Sequence, residues 1–422
     1  MNLLIVGGGG REHAIIRALK KNPEVELVYA LPGNAGIGQM AECHPIPATD
    51  IDAIVDFAKS HKIDFAVVAQ DDPLALGCVD RLNELGIPCF GPDAKAAQIE
   101  ASKIFSKNLM KKYGIPTAAY ETFSDCEKAV DYLKTASYPI VLKADGLALG
   151  KGVVICQNFS EAETGIREMM LGGKFGKSGA NVVIEEFLEG PEVTVLSFTD
   201  GKTVVPMVSS MDHKRALDGD KGVNTGGMGV IAPNPLYTPE IAQCCMKEIF
   251  VPTIEAMRKE GRPFKGCLYF GLMLTKNGPK VIEYNCRFGD PEAQAVLPLL
   301  KSDLFNIMRA VESETLSPSM VEFENASTCC VMIASGGYPE KYQKGFEIDF
   351  GDSKETAFVY HSGTKLNDEG KFVTNGGRVL GVVAKADTLE NAISKSYFAA
   401  NQITFEGKHM RTDIGQRALK GE

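Results

Sequence analysis

The chain has 422 residues, 44% of them hydrophobic and 23% charged, with a net charge of −9 and a pI near 5.4. This is the make-up of a globular protein of about two to four domains, and its acidic balance excludes nucleic acid as an expected partner, which needs a basic face. No apolar run reaches membrane-span length, no signal peptide is expected, and the 11 cysteines lack any Cys-x-x-Cys, so a cytoplasmic protein with reduced thiols and no membrane partner is expected.

Residues 3–6 predict a short buried strand, followed by a glycine run and a helix over about 11–20. A second strand over 27–31 ends at Pro32-Gly33-Asn34-Ala35-Gly36, a helix follows over 51–60, and a third strand over 65–69. This alternation implies a parallel sheet covered by helices, with both glycine turns at the carboxyl ends of strands, where ligands bind. Between 102 and 325 the pattern changes. Strands over 140–143, 153–156 and 182–186 lie among Gly-rich loops, with helices near 102–113, 161–171, 240–259 and 303–314. These read as α+β lobes. From about 326 the chain is strand-rich, with a turn at 374–378 and a helix over 389–401. The expected division is an N-terminal α/β domain (1–101), a two-lobed central domain (102–325) and a small strand-rich C-terminal domain (326–422).

The segment Lys280-Val-Ile-Glu-Tyr-Asn-Cys-Arg-Phe-Gly-Asp-Pro-Glu292 carries the most chemistry. In a strand, Glu283, Asn285 and Arg287 share one face, while Ile282, Tyr284 and Cys286 share the other, suited to a core. A carboxylate and an amide oxygen suit Mg²⁺, which takes one or two protein ligands and completes its shell with phosphate and water. Arg287 beside them suits a phosphoryl group. The loop Gly7-Gly8-Gly9-Gly10 follows a strand and opens a helix, a place where free N–H groups bind an anion. It lacks the third glycine of a dinucleotide fingerprint, because Glu12 stands there, so a single phosphate fits better. Segments 146–152 and 172–178 imitate a P-loop without its spacing or context. Lys143, at the end of an apolar strand, is costly to bury without a partner. A Gly-rich loop beside it could close over phosphates.

Together these segments resemble the ATP-grasp superfamily and, more narrowly, the phosphoribosylamine–glycine ligase family. The matching strings are 8–14, 32–36, 142–148, 185–188, 212–215 (Asp-His-Lys-Arg), 224–229 (Asn-Thr-Gly-Gly-Met-Gly), 283–292 and 374–380. The resemblance implies ATP-dependent joining of glycine to 5-phosphoribosylamine through glycyl phosphate, with ATP between two lobes, the mobile one spanning about 120–190. Lys103 and Lys143 would contact its phosphates, and Gly146, Gly150, Lys151 and Gly152 would cover them. Glu185, Glu186, Phe187, Leu188 and Glu192 would hold the adenosine. Glu283 and Asn285 would bind Mg²⁺, or Mn²⁺. Arg287, Lys143, Asp212 and Lys214 would form the catalytic set. The two substrates would lie against Gly8, Gly9, Gly10, Asn34, Asp212, Lys214, Asn224, Gly226, Gly227, Arg287, Asp290, Gly376 and Arg378. One departure stands out: Asp71 occupies a position where the family usually has Glu. A different ATP-grasp ligase, or a non-catalytic nucleotide-binding protein, remains an alternative. A monomer or weak homodimer is expected.

Overall fold

The computed structural model describes residues 1–147, 152–173 and 176–421, without the side chains of 176 and 177. Leu3, Leu4, Ile5 and Val6 are fully buried, as a strand covered on both faces requires. They lie in β1 (Asn2–Gly7), which pairs in parallel with β2 (Leu27–Pro32) and β4 (Phe65–Val68). With β3 (Glu42–Cys43) and β5 (Cys89–Phe90) the order is β3-β2-β1-β4-β5. The order changes direction between β1 and β4, so the turns after β1 and β2 open at the carboxyl edge, as expected from the sequence.

Next come β6 (Tyr120–Phe123), β7 (Ile140–Ala144), β8 (Val153–Cys156) and β9 (Val182–Glu186), an antiparallel sheet ordered β6-β9-β7-β8 with its own small core around Leu142, Ile166 and Ile184. The chain continues through β10 (Glu192–Asp200), β11 (Val204–Pro206), β12 (Met211–Asp212), β13 (Arg215–Leu217), β14 (Lys221–Asn224), β15 (Gly229–Ala232), β16 (Lys265–Thr275) and β17 (Gly278–Asn285). Four of these make an antiparallel sheet ordered β11-β10-β16-β17. The last part contributes β18 (Ser327–Ser335), β19 (Phe358–His361), β20 (Thr364–Leu366), β21 (Phe372–Thr374), β22 (Arg378–Ala386) and β23 (Lys408–His409). β12 and β15 leave the central region to join this sheet, giving β12-β15-β18-β22-β19 with β23 on β18. The strands flanking the 213–228 segment therefore hang from the C-terminal sheet.

Two local expectations are corrected. The helix near 240–259 comes in three pieces: Pro239–Cys245, a π-helical turn Met246–Phe250, and Val251–Lys259. Pro252 removes a backbone donor, and the wider turn sits just ahead of it. The strict alternation expected over 280–287 also breaks. Register shifts so that Gly271 faces Glu283 while Leu272 faces Val281, which makes Ile282 an extra residue on β17. Val281, not Ile282, fills the core, while Tyr284 and Cys286 point inward as expected.

Candidate active site

The bulge turns the Ile282 carbonyl toward Lys143, whose Nζ donates to it at 3.1 Å. Just beyond, Glu283 and Asn285 are half-buried. Burial opposes the charge of Glu283, but Lys214, Lys143, Lys103 and Arg287 outweigh it and hold the carboxyl pKa below the usual value. The carboxylate thus lies among cations that a triphosphate would neutralise. Arg287 donates from Nη2 to Glu100 at 2.9 Å and to Oδ1 of Asn285 at 3.3 Å.

Lys143 is buried on β7, and its Nζ lies 3.0 Å from Oε2 of Glu185 on β9. Lys107 reaches the same oxygen at 3.0 Å and also donates to Thr117. Burial lowers the pKa of Lys107 to about 8. Lys107 was missed in the sequence, although it lies one helical turn after Lys103 on the helix Lys103–Tyr113. Ser102 caps that helix, its Oγ accepting from Phe105 N–H at 3.1 Å. Lys103 donates to the Gly146 carbonyl at 2.8 Å, and burial lowers its pKa. Gly152 stands at the far end of this loop, its carbonyl accepting from Ala144 N–H at 2.9 Å. Gly150 and Lys151 lie outside the described residues. Glu186 turns away from its neighbour, pairing with Lys280 at 2.8 Å. Phe187 and Leu188 follow, both half-buried. Glu192 opens β10 and pairs with Lys214 at 2.8 Å.

Lys214 also lies 3.9 Å from Glu283. Burial works against its ammonium, but Glu192, Tyr269, Glu283 and Asp212 together hold its pKa well above normal. Burial, and then Glu292, push the carboxyl pKa of Asp212 well above the usual range. Glu292 is itself buried and raised by that burial. Gly227, with φ of 110°, lies so close that a Cβ there would sit 2.8 Å from Asp212 Oδ1.

The glycine loop is less open than expected. Glu12 folds back to accept from Gly9 N–H at 2.6 Å and pairs with Arg11 at 2.7 Å. Part of the proposed anion site is thus already met by a carboxylate. Asn34 spends its side chain on the loop frame, donating to the carbonyls of Gly8 and His361 and accepting from Gly36 and Ile37. Gly8 meets the Gly33 carbonyl so closely that a Cβ would fall 2.4 Å from it. Gly9 and Gly10 face Asp290 and Gln294. Arg378 completes this side: it lies 3.3 Å from Asp290 Oδ1 and donates to the carbonyls of Gly226 at 2.6 Å and Asp290 at 2.7 Å. Asn224 is exposed at the end of β14, and Gly376 accepts from Ser335 Oγ. Burial opposes the charge of Asp71, but Arg287 and Arg11 lower its pKa, so the shorter acid still keeps company with the arginine.

Buried polar atoms without a partner are costly and call for explanation. Among the described residues, Glu185 Oε1, Asp212 Oδ1, Arg287 Nε and Gln294 Oε1 are such atoms, and all four border this region. A divalent cation fits as well. No group of three or more His, Cys, Asp or Glu suited to a metal occurs among the described residues. Glu283 and Asn285 offer one carboxylate and one amide oxygen, the sparse set that suits Mg²⁺ arriving with phosphates.

Three family models match in succession: the phosphoribosylglycinamide synthetase N domain over 1–100, its ATP-grasp (A) domain over 101–293 and its C domain over 328–417. A phosphoribosylamine–glycine ligase of Caldanaerobacter subterraneus is 47% identical over 98% of this chain and 99% of its own. One from Clostridium acetobutylicum is 45% identical over 99% of this chain and 100% of its own. The crystal structure of the Thermotoga maritima phosphoribosylamine–glycine ligase superposes with a TM-score of 0.87 at 35% identity, covering 98% of this chain and 100% of that one. A Hydrogenobacter thermophilus biotin carboxylase domain in complex with MgADP shares the fold, with a TM-score of 0.74 at 20% identity over 97% of this chain and 91% of that one. The ATP-grasp domain implies ATP and a divalent metal ion. With a cluster of lysines, a sparse oxygen donor pair and all three domain models in order, the chain belongs to the phosphoribosylglycinamide synthetase family, the phosphoribosylamine–glycine ligases.

Proposed function

We propose that this chain joins glycine to 5-phosphoribosylamine in purine biosynthesis, converting ATP to ADP and phosphate through glycyl phosphate. A glycine carboxylate oxygen attacks the γ-phosphorus, and ADP leaves. The amine nitrogen then attacks the carbonyl carbon, and phosphate leaves with the former carboxylate oxygen. The observation that carries this reading is the gathering of Lys143, Lys103, Lys214 and Arg287 around Glu283, with Asn285 beside Arg287. A developing anion needs this charge, and catalysis of this kind rests on alignment and neutralisation.

In this reading Lys103 and Lys143 hold ATP phosphates, and the 145–152 loop lies over them. The 185–188 segment and Glu192 take the adenosine. Glu283 and Asn285 would hold Mg²⁺, or Mn²⁺, whose positive charge would offset that of the phosphates. Arg287 meets the transferring phosphoryl group. Asp212, whose Oδ1 is buried without a partner among the described residues, takes the proton lost by the amine in this reading, and Lys214 keeps the neighbouring carboxylates in balance. The sugar phosphate lies between the 8–10 loop, the 224–227 loop, Asp290 and Arg378, with Asn34 and Gly376 shaping the turns. The test measures ADP release with ATP, glycine and freshly made phosphoribosylamine, each omitted in turn. Release that persists undiminished without glycine, or sustained turnover at the full rate without phosphoribosylamine, would refute the reading.

A further inference from the structure

Glu100 lies in the last turn of the helix Ala94–Ala101, two residues before the cap of the lysine-bearing helix. Its buried carboxylate grips two consecutive residues just past β17. Oε2 accepts the backbone N–H of Cys286 at 2.7 Å, and Oε1 accepts from Arg287 Nη2 at 2.9 Å. The rest of the guanidinium is lightly used. Nη1 makes one long contact, 3.5 Å, with the Phe288 carbonyl, and Nε is buried without a partner among the described residues. A buried carboxylate is expensive to maintain unless it is paired and hydrogen-bonded. This one is satisfied by the backbone and the arginine together. It fixes where the strand end lies and where the guanidinium lies at once.

We infer that Glu100 is the positioning residue for Arg287: it occupies Nη2 and anchors the adjoining backbone, so that Nε and Nη1 are presented in one fixed orientation to the substrate anion. This rests on the role proposed above for Arg287. Glu100 itself needs no contact with substrate. It is also the last residue of the N-domain match, whereas Arg287 belongs to the ATP-grasp match. The orientation of a group in one domain is thereby set from the other. A guanidinium released from this grip can still supply charge but loses its alignment, and misplacement by about 1 Å costs on the order of 100-fold in rate.

The test is a double-mutant cycle on the full-length enzyme with Glu100→Gln, Arg287→Lys and the pair, reading kcat and the KM for ATP under saturating glycine and phosphoribosylamine. Glu100→Gln keeps the shape and removes the charge. It is expected to lower kcat by ~10–100-fold with the KM for ATP held within ~2-fold. In the Arg287→Lys background the same change should cost less than ~3-fold, because the fork it aims is already gone. Full multiplication of the two losses, or a loss confined to the KM for ATP, would overturn the inference. If Glu100→Gln does not fold, Glu100→Asp, which keeps the charge but cannot span both partners, carries the same cycle with the same deciding outcomes. An inactive wild-type enzyme would sink the proposed function itself. A normal rate for Glu100→Gln beside an impaired Arg287→Lys would sink only this inference.

Discussion

His361 donates its backbone N–H to Nδ1 of His13 at 2.9 Å, joining the first helix to β19 across 348 positions. The acceptor nitrogen must be unprotonated, so the contact needs a neutral His13. Burial, with Arg17 nearby, lowers its pKa to about 4, and burial lowers His361 to about 3. His213 is held likewise: its Nε2 accepts from Gly415 N–H at 3.1 Å, and burial lowers its pKa to about 4.

Stability should therefore fall on acidification, starting earlier than carboxylates alone would cause. Each of these groups has a folded pKa below its unfolded value, so the unfolded chain binds more protons in between. Their contribution is complete above about pH 6.5 and is lost as pH falls toward about 4 for His13 and His213 and about 3 for His361. The loss is on the order of 3 kcal/mol per histidine at the low end. Urea midpoints measured between these limits should decline steadily; a flat profile would contradict the neutral-histidine assignment.

The metal face should be indispensable for turnover. Glu283→Gln or Asn285→Ala is expected to lower kcat by roughly two to four powers of ten, the order for removing a stabiliser of developing charge. Folding should persist, because both residues are half-exposed. Near-normal rates in both variants at saturating Mg²⁺ would refute the ligand assignment.

Lys143→Met separates catalysis from stability. Glu185 keeps a cation, since Lys107 stays 3.0 Å from the same oxygen. The melting temperature should move by only a few degrees while ATP turnover drops by about 100-fold. A large loss of stability with an unchanged rate would make Lys143 a structural residue.

Arg378→Ala should act on the amine substrate rather than on ATP. It removes the brace on the Gly226 carbonyl and the partner of Asp290. We expect kcat/KM for phosphoribosylamine to fall by about 10–100-fold, or roughly 1.4–3 kcal/mol, with the KM for ATP little changed. Equal effects on both substrates would point to general loosening.

Activation by phosphorylation also makes an isotopic prediction. ¹⁸O placed in the glycine carboxylate should appear in the released phosphate, because that oxygen attacks the γ-phosphorus and leaves with it. Mass spectrometry after one turnover decides the matter. Label in AMP, or none in phosphate, would overturn the route even with the substrates confirmed.

Local patterns were legible where one strand or helix decides the outcome. The buried run 3–6, the helix 51–60 and the strand 182–186 follow from periodicity and caps alone. The sharing of a face by Glu283 and Asn285 was read from strand parity, but Ile282 defeated parity because a bulge depends on the partner strand, β16. Lys107, Glu100 and Glu292 were missed for a similar reason: their partners lie far along the chain, as with Glu100 and Cys286, 186 positions apart. Glu12 was read only as a departure from the dinucleotide fingerprint; that its carboxylate folds back onto the turn, three residues before it, was not foreseen. The pairing of β15 with β18, which brings β12 with it, had no local signal at all.

That last pairing divides the chemistry between two sheets. Glu283 and Asn285 ride on the β16–β17 sheet, whereas Asp212 and the 226–227 loop ride on the strands of the other. The two meet where Lys214 lies 3.9 Å from Glu283. Thr194 and Ser210 each donate a backbone N–H to the other's carbonyl, at 3.0 and 2.8 Å, so the spacing of the two faces is set by a backbone bridge rather than by any side chain of the site.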